Sequence, residues 1–287
     1  YHGWHDWYIG TSTRNGGVPN AVQELTSNFI YNDLSSLEAI FKQYPEDIAC
    51  VIMEAVGVEK PKSGFLEKVK DMAHSNGALL IFDEIINGFR IAIGGAQEVE
   101  QVVPDLACYG KAIANGMPLS AVVGRREVME IFDDIFFSGT FGGEAASLAA
   151  CKATLETIEK YSVIDKNWEF GRELSARINK LIDQNGLQND LNLVGYDVRS
   201  ILTFPHQDEY EARLRRSYFM QECHKRGLLF FGVHLPTYAH GDEELEFTFE
   251  VYEEVFKLFA YALKKNNSSD LLSLMEGPIV EPIFRKP

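Results

Sequence analysis

Apolar positions in the first half of the chain come as short continuous runs separated by stretches of helical spacing. In "DLSSLEAIFKQYP" (33–45), Leu34, Leu37, Ile40 and Phe41 recur at helical intervals, Asp33 stands as an N-cap and Pro45 as a stop, which predicts a helix. "IACVIMEAV" (48–56) is a short apolar run ending near Glu54. "GFLEKVKDMAHSNG" (64–77) returns to helical spacing with a glycine exit, and "ALLIF" follows as the next strand. Strand, helix, strand at this spacing argues for a βαβ unit, whose parallel strands are covered on both faces and read as continuous apolar runs.

"DLACYGKAI" and "SAVVGRREVMEIF" contain two more strand-like runs, and "GEAASLAACKATLETIEKY" and "NWEFGRELSARINKLIDQNG" read as helices rich in Ala, Leu, Glu and Lys. Beyond roughly residue 165 the pattern changes to "RSILTF", "LRRSYFMQECHKRG", "LLFFGVHL" and "DEELEFTFEVYEEVFKLFAYALKK", which reads as a small α+β domain. The expected class is α/β, with a large domain over 1–165 and a smaller C-terminal domain over 166–287. The tail after Asn266 carries no usable periodicity.

Composition enters mainly by exclusion. The 287 residues are 46% hydrophobic, ample for a core, and their formal net charge of -15 repels phosphate backbones and anionic membrane surfaces. Nucleic acid and membrane are therefore not expected partners. Cys50, Cys108, Cys151 and Cys223 lie far apart, without a C-x-x-C pair or histidines at ligand spacing, as ordinary thiols of a reducing compartment do. With no apolar run near the roughly 20 residues of a membrane span, the expected location is cytoplasmic. The chain opens on Tyr1 in mid-pattern, so an upstream segment is expected.

The chemistry starts at "LLIFDEIINGFR" (79–90), where an apolar strand runs into Asp83 and Glu84. Ligands of open α/β sheets bind at the carboxyl ends of parallel strands, and a carboxylate there is costly unless it meets a positive partner. Asp83 is either an N-cap or structural ion pair, or part of such a site. Lys111, in "CYGKAIANGMPLSAVVG", follows a second strand-like run and is either a solvated surface lysine or a nucleophile held near a cofactor. Pyridoxal 5'-phosphate chemistry explains both together. A lysine forms the Schiff base, and an aspartate keeps the pyridine nitrogen protonated so that the ring accepts an electron pair.

"YHGWHD", "LLIFDEIINGFR", "GGAQEVEQVVPDLACYGKAIANGMPLSAVVGRREVME" and "FSGTFGGEAASLAA", in that order, closely resemble the class III pyridoxal-phosphate aminotransferases, nearest the glutamate-1-semialdehyde aminomutase branch. The resemblance runs from Tyr1 to about residue 260. It implies a fold type I transferase and a homodimer with its active site at the interface. Lys111 would carry the cofactor and move a proton between the substrate's α carbon and the cofactor, and Asp83 would partner the pyridinium nitrogen. Tyr1 would stack on the ring, Ile85 with Ile86 would pack near the opposite face, and Thr140 would bond the phosphate across the dimer interface. Glu54 matches the family's strand-end glutamate on the substrate side, although Ala55 replaces the usual proline.

By themselves, Tyr1 and Ile85 also read as core packing, and Thr140 as a loop hydroxyl or cap. His2 and His5 have an H-x-x-H spacing, but no third ligand lies nearby, so a structural or cofactor-adjacent reading is preferred and His2 joins the expected cofactor-binding residues. "TRNGGVP" is either a substrate-side loop or a plain surface turn.

Departures from the family pattern matter as well. The aminomutase glutamate near the C-terminus is replaced by Phe231 or Gly232, and the asparagine and proline after "GT" by Glu144 and Ala145. No substitute is found for the family's N-terminal phosphate-holding loop. The expected function is amino transfer from a small-molecule amino donor to a keto or aldehyde acceptor. The alternatives are an intramolecular aminomutase and a non-catalytic fragment or assembly module retaining the fold.

Overall fold

Asp33 opens the first long helix by accepting the Ser35 amide at 3.0 Å, the bond a short carboxylate at an N-cap provides. The computed structural model describes residues 1–265 and 268–281. They form two compact units, Tyr1–Thr11 with Asn15–Ile164 and Ser12–Arg14 with Asp165–Pro287.

The first unit contains helices α1 (Asp6–Ile9), α2 (Asn20–Gln23), α3 (Leu34–Gln43), α4 (Phe65–Ser75), α5 (Ala96–Val99), α6 (Arg126–Met129) and α7 (Ala145–Tyr161). Strands β1 (Cys50–Met53), β2 (Leu79–Asp83), β3 (Leu106–Tyr109) and β4 (Ala121–Gly124) form one sheet in that order. β1, β2 and β3 are parallel, so their carboxyl ends share one edge. Leu80 and Phe82 of β2 are fully buried and α4 packs on this strand, burying Phe65, Leu66, Val69 and Ala73. Burial of each of the larger side chains, Phe65, Leu66 and Val69, contributes about 1.5–3 kcal/mol.

β4 runs antiparallel to β3. Its connection is too short for the crossover of a dozen or more residues that a parallel return requires, and it turns instead through Asn115 and Gly116 at φ +45° and +103°. At the amino end of the parallel strands, buried Asp105 accepts the Leu80 amide at 2.7 Å and bonds His74 Nε2 at 2.8 Å and Arg125 Nη1 at 2.9 Å. That carboxylate ties β2, β3, α4 and the segment after β4 together, leaving the opposite ends of the strands free of this duty.

The second unit has helices α8 (Val163–Asn185), α9 (Glu209–Lys225), α10 (Asp242–Lys265) and α11 (Ser268–Ser273), and an antiparallel sheet of β5 (Asn192–Tyr196), β6 (Arg199–Thr203) and β7 (Val233–His234). α8 starts at Val163 rather than in "NWEFG", directly after Ser162 at φ +50° breaks the helix before it. "LLFFGVHL" pairs only through Val233 and His234. In the tail, α11 buries Leu271 against the core, a six-residue helix that tertiary packing rather than periodicity sustains. Of the tail after Asn266, residues 267 and 282–287 lie outside the described residues. Phe219 sits at the centre of this core, its ring edge-on to Phe204, Phe230, Phe256 and Phe259 at 5.2–5.9 Å. Among the described residues no helix is long and apolar enough to cross a membrane.

A buried polar chain joins this sheet to α10: Ser200 Oγ lies 3.2 Å from His234 Nδ1, and His234 Nε2 lies 2.7 Å from the Tyr252 hydroxyl. Burial pushes the His234 imidazole down to about 4 from its ordinary 6.5. Below pH 6.5 the unfolded chain binds a proton that the folded ring refuses. Stability is therefore full above that pH and falls as the pH drops toward 4, by about 3 kcal/mol. Urea unfolding at pH 7 and 4.5 should show this loss in the wild type and a smaller one in His234→Gln; identical pH dependence in both would refute the assignment.

Candidate active site

Parallel register brings the sequence-predicted polar residues to one edge. Glu54 follows the end of β1, Asp83 ends β2 opposite Cys108 of β3, and Lys111 lies two residues beyond the end of β3. Neighbouring strands lie about 4.8 Å apart and advance about 3.3 Å per residue, so Lys111 and Asp83 belong to the same strand-end region.

Asp83 is only 4% exposed. Its Oδ2 lies 2.7 Å from His2 Nδ1 and its Oδ1 accepts the Ile85 amide at 3.0 Å. Each carboxylate oxygen retains a second lone pair. His2 is held among aromatic rings, edge-on to Tyr8 at 5.4 Å and stacked with Trp7 at 6.4 Å, both rings supplied by α1. Tyr1 stands edge-on to Tyr8 at 5.4 Å and is 50% exposed. His5 stacks on Trp4 at 4.8 Å, so the H-x-x-H pair is divided between two surroundings. Beside Asp83, burial and then the nearby aspartate charge push the Cys108 thiol up.

Lys111 is exposed and opens a 3₁₀ turn, Lys111–Ile113, with φ +45°. Left-handed backbone costs an ordinary residue about 1–2 kcal/mol and persists where the surroundings over-determine it. Those surroundings are visible. Ile113 and Ala114 are buried with Ala107 and Tyr109, against Cys151 of α7, and Ile85 Cγ2 lies 3.4 Å from where a Cβ at Gly110 would stand.

Sequence reasoning missed three linked polar groups beneath this edge, two of them buried. Side chains alternate across a strand, so Glu84 points away from Asp83. Its carboxylate, fully buried, accepts the amides of Ala96 and Gln97, each at 2.9 Å, at the start of α5. Burial pushes Glu84 up, the two amides pull it down, and the charges of Asp83 and Glu54 raise it further. Gln97 Nε2 donates to the Tyr109 hydroxyl at 2.6 Å, which donates to the Gly94 carbonyl at 3.0 Å. The adjacent acids were the available signal, because two consecutive carboxylates cannot serve one face.

The structure thus gathers Asp83, His2, Ile85 and the backbone leading to Lys111, with Tyr1 beside His2 and Glu54 on the neighbouring strand end. None of these contacts involves Thr140. It lies in an exposed loop with Ile135, Phe136, Phe137 and Phe141, Phe136 being 96% exposed. Among the described residues no cluster of three or more metal-ligating side chains occurs. Lys111→Gly should be about 1 kcal/mol more stable than Lys111→Ala, because glycine tolerates φ +45°. Equal urea midpoints for the two variants would show that no strain resides there.

A model of the class III aminotransferases matches residues 9–256. The chain is 35% identical over 271 residues to the 3-aminobutyryl-CoA aminotransferase of Cloacimonas acidaminovorans, covering 88% of this chain and 62% of the relative. It is 36% identical over 257 residues to the glutamate-1-semialdehyde 2,1-aminomutase of Pelotomaculum thermopropionicum, covering 84% and 59%. The chain therefore spans about three fifths of these curated relatives. The Sphingopyxis FumI protein, solved in its pyridoxal-phosphate internal aldimine form, superposes with a TM-score of 0.82 at 24% identity over 96% of this chain and 66% of that one. An omega-transaminase from Sphaerobacter thermophilus superposes at 0.79 and 23% identity, over 91% and 67%. These superpositions identify the fold as the α/β architecture of fold type I.

Proposed function

Since the chain belongs to the class III aminotransferase family, we propose that it works as a pyridoxal 5'-phosphate-dependent aminotransferase, moving an amino group from a small-molecule amino donor to a keto or aldehyde acceptor. The observation that carries this reading is a buried carboxylate, Asp83, at the same strand-end edge as Lys111. The donor set fits the cofactor, because Asp83 keeps acceptor capacity for a ring N–H and Lys111 offers an exposed amine. When bound, the cofactor supplies an electrophilic carbon and a protonated ring that accepts an electron pair.

Asp83 would hold the proton on the ring nitrogen, while His2 and the Ile85 amide keep its carboxylate aimed. Lys111 Nζ would anchor the cofactor and, once released by the donor amine, carry a proton away from the donor's α carbon. Tyr1 would bound one ring face, and Ile85 with Ile86 the other. Glu54 would face the substrate.

The loop around Thr140 supports a homodimer. Ile131, Ile135, Phe136, Phe137 and Phe141 are all exposed, a concentration of apolar surface that monomers rarely carry. Thr140 would then meet the phosphate held by a second copy. The four free cysteines support a reducing, cytoplasmic setting.

A second reading, the intramolecular aminomutase, is favoured by the 36% identical relative. Against it, the C-terminal stretch offers exposed Phe231 and Gly232 at φ +89° where that branch carries a glutamate. A requirement for a separate keto acceptor would exclude the mutase.

Protein supplied with pyridoxal phosphate should be yellow, and its visible band should shift when an amino donor is added. Lys111→Ala should lose colour and activity, and Asp83→Asn should slow transfer about 100-fold or more. An unchanged spectrum in Lys111→Ala removes the lysine from this role, and no binding in equilibrium dialysis favours the non-catalytic module. Sedimentation should give a dimer that Phe136→Glu with Phe137→Glu shifts to monomer; an unaffected dimer places the interface elsewhere.

A further inference from the structure

We propose that Glu84, Gln97 and Tyr109 are positioning residues that fix Lys111 through the end of β3, a role that rests on the aminotransferase reading. The three close a ring of bonds around this strand end. Glu84 caps α5 through the amides of Ala96 and Gln97, and Gln97 Nε2 then grips the Tyr109 hydroxyl. The Glu84 amide returns to β3 by donating to the Cys108 carbonyl at 2.9 Å, and its own carbonyl accepts the Gly88 amide at 2.7 Å. Tyr109 is the last residue of β3, two before Lys111.

The sequence is shaped around this ring. α5 has four residues, too few to persist unaided, and its N-cap is Gly95 at φ +84°. A Cβ at Gly95 would stand 2.3 Å from Glu84 Oε2, and one at Gly88 would stand 2.5 Å from the Tyr109 ring. Glycine at both places lets the carboxylate and the phenol dock. Two buried polar side chains at a strand end, Glu84 and Tyr109, carry a desolvation cost that apolar packing would avoid. What they provide is direction: hydrogen bonds fix Tyr109 in angle as well as depth. The left-handed backbone at Lys111 needs such fixing, and the hydrogen bonds of Tyr109 add direction before it to the burial of Ile113 and Ala114 after it.

Reductive trapping with borohydride tests this on the full chain. Pyridoxal phosphate is added, the adduct is reduced, and peptide mapping gives the rate and the share of label at Lys111 against surface lysines. Tyr109→Phe removes one oxygen atom, so its unfolding midpoint should change by no more than about 2–4 °C. Its rate and share at Lys111 should fall about tenfold, as a displaced reacting group requires. Gln97→Leu should do the same, and the double variant should be no worse than either alone, the signature of one unit. Wild-type trapping in Tyr109→Phe, or a loss no greater than the midpoint shift accounts for, would overturn the positioning role. A wild-type chain without preference for Lys111 would defeat the aminotransferase reading, and the positioning role with it.

Discussion

A negative charge at the end of a buried strand is tolerable only if something answers it, and the strand-end region of this chain is organised by that requirement. Asp83 is closed off from water by the strands beside it, so it draws in His2 and the Ile85 amide. The histidine is in turn fixed by rings from α1. An N-terminal segment with little regular structure thereby acquires a definite place against β2. Without the carboxylate, that segment would lose the bond between His2 and β2.

The sheet divides its polar work between two ends. Asp105 gathers an amide, a histidine and an arginine at the amino ends of the strands, where all three bonds hold structure. Asp83 and Glu84 sit at the carboxyl ends, and alternation along the strand sends them to opposite faces. One is satisfied by backbone amides alone, whereas the other keeps room for a further donor. Parallel pairing matters because it lines these ends up beside Lys111.

Much of this was legible in sequence because it depends on local pattern. The apolar runs marked β1, β2 and β3, spacing marked α3, α4 and α7, and the strand-end places of Asp83 and Lys111 could be read from where those runs stop. What escaped depends on partners distant in the chain. The partners of Glu84 lie twelve and thirteen residues onward and are backbone amides, which leave no side-chain signature. α11 is held by Leu271 docking, and α9 buries Glu211 and Glu222 by pairing them with Arg215 and Arg226, which blurs its apolar stripe. Thr140 was picked out by motif alone, and it lies in an exposed loop.

Cys108 stands directly across from Asp83 in the strand register. Burial and the neighbouring negative charge both disfavour its thiolate. The carboxylate that holds His2 on one side thus adds to burial in keeping the sulfur protonated on the other.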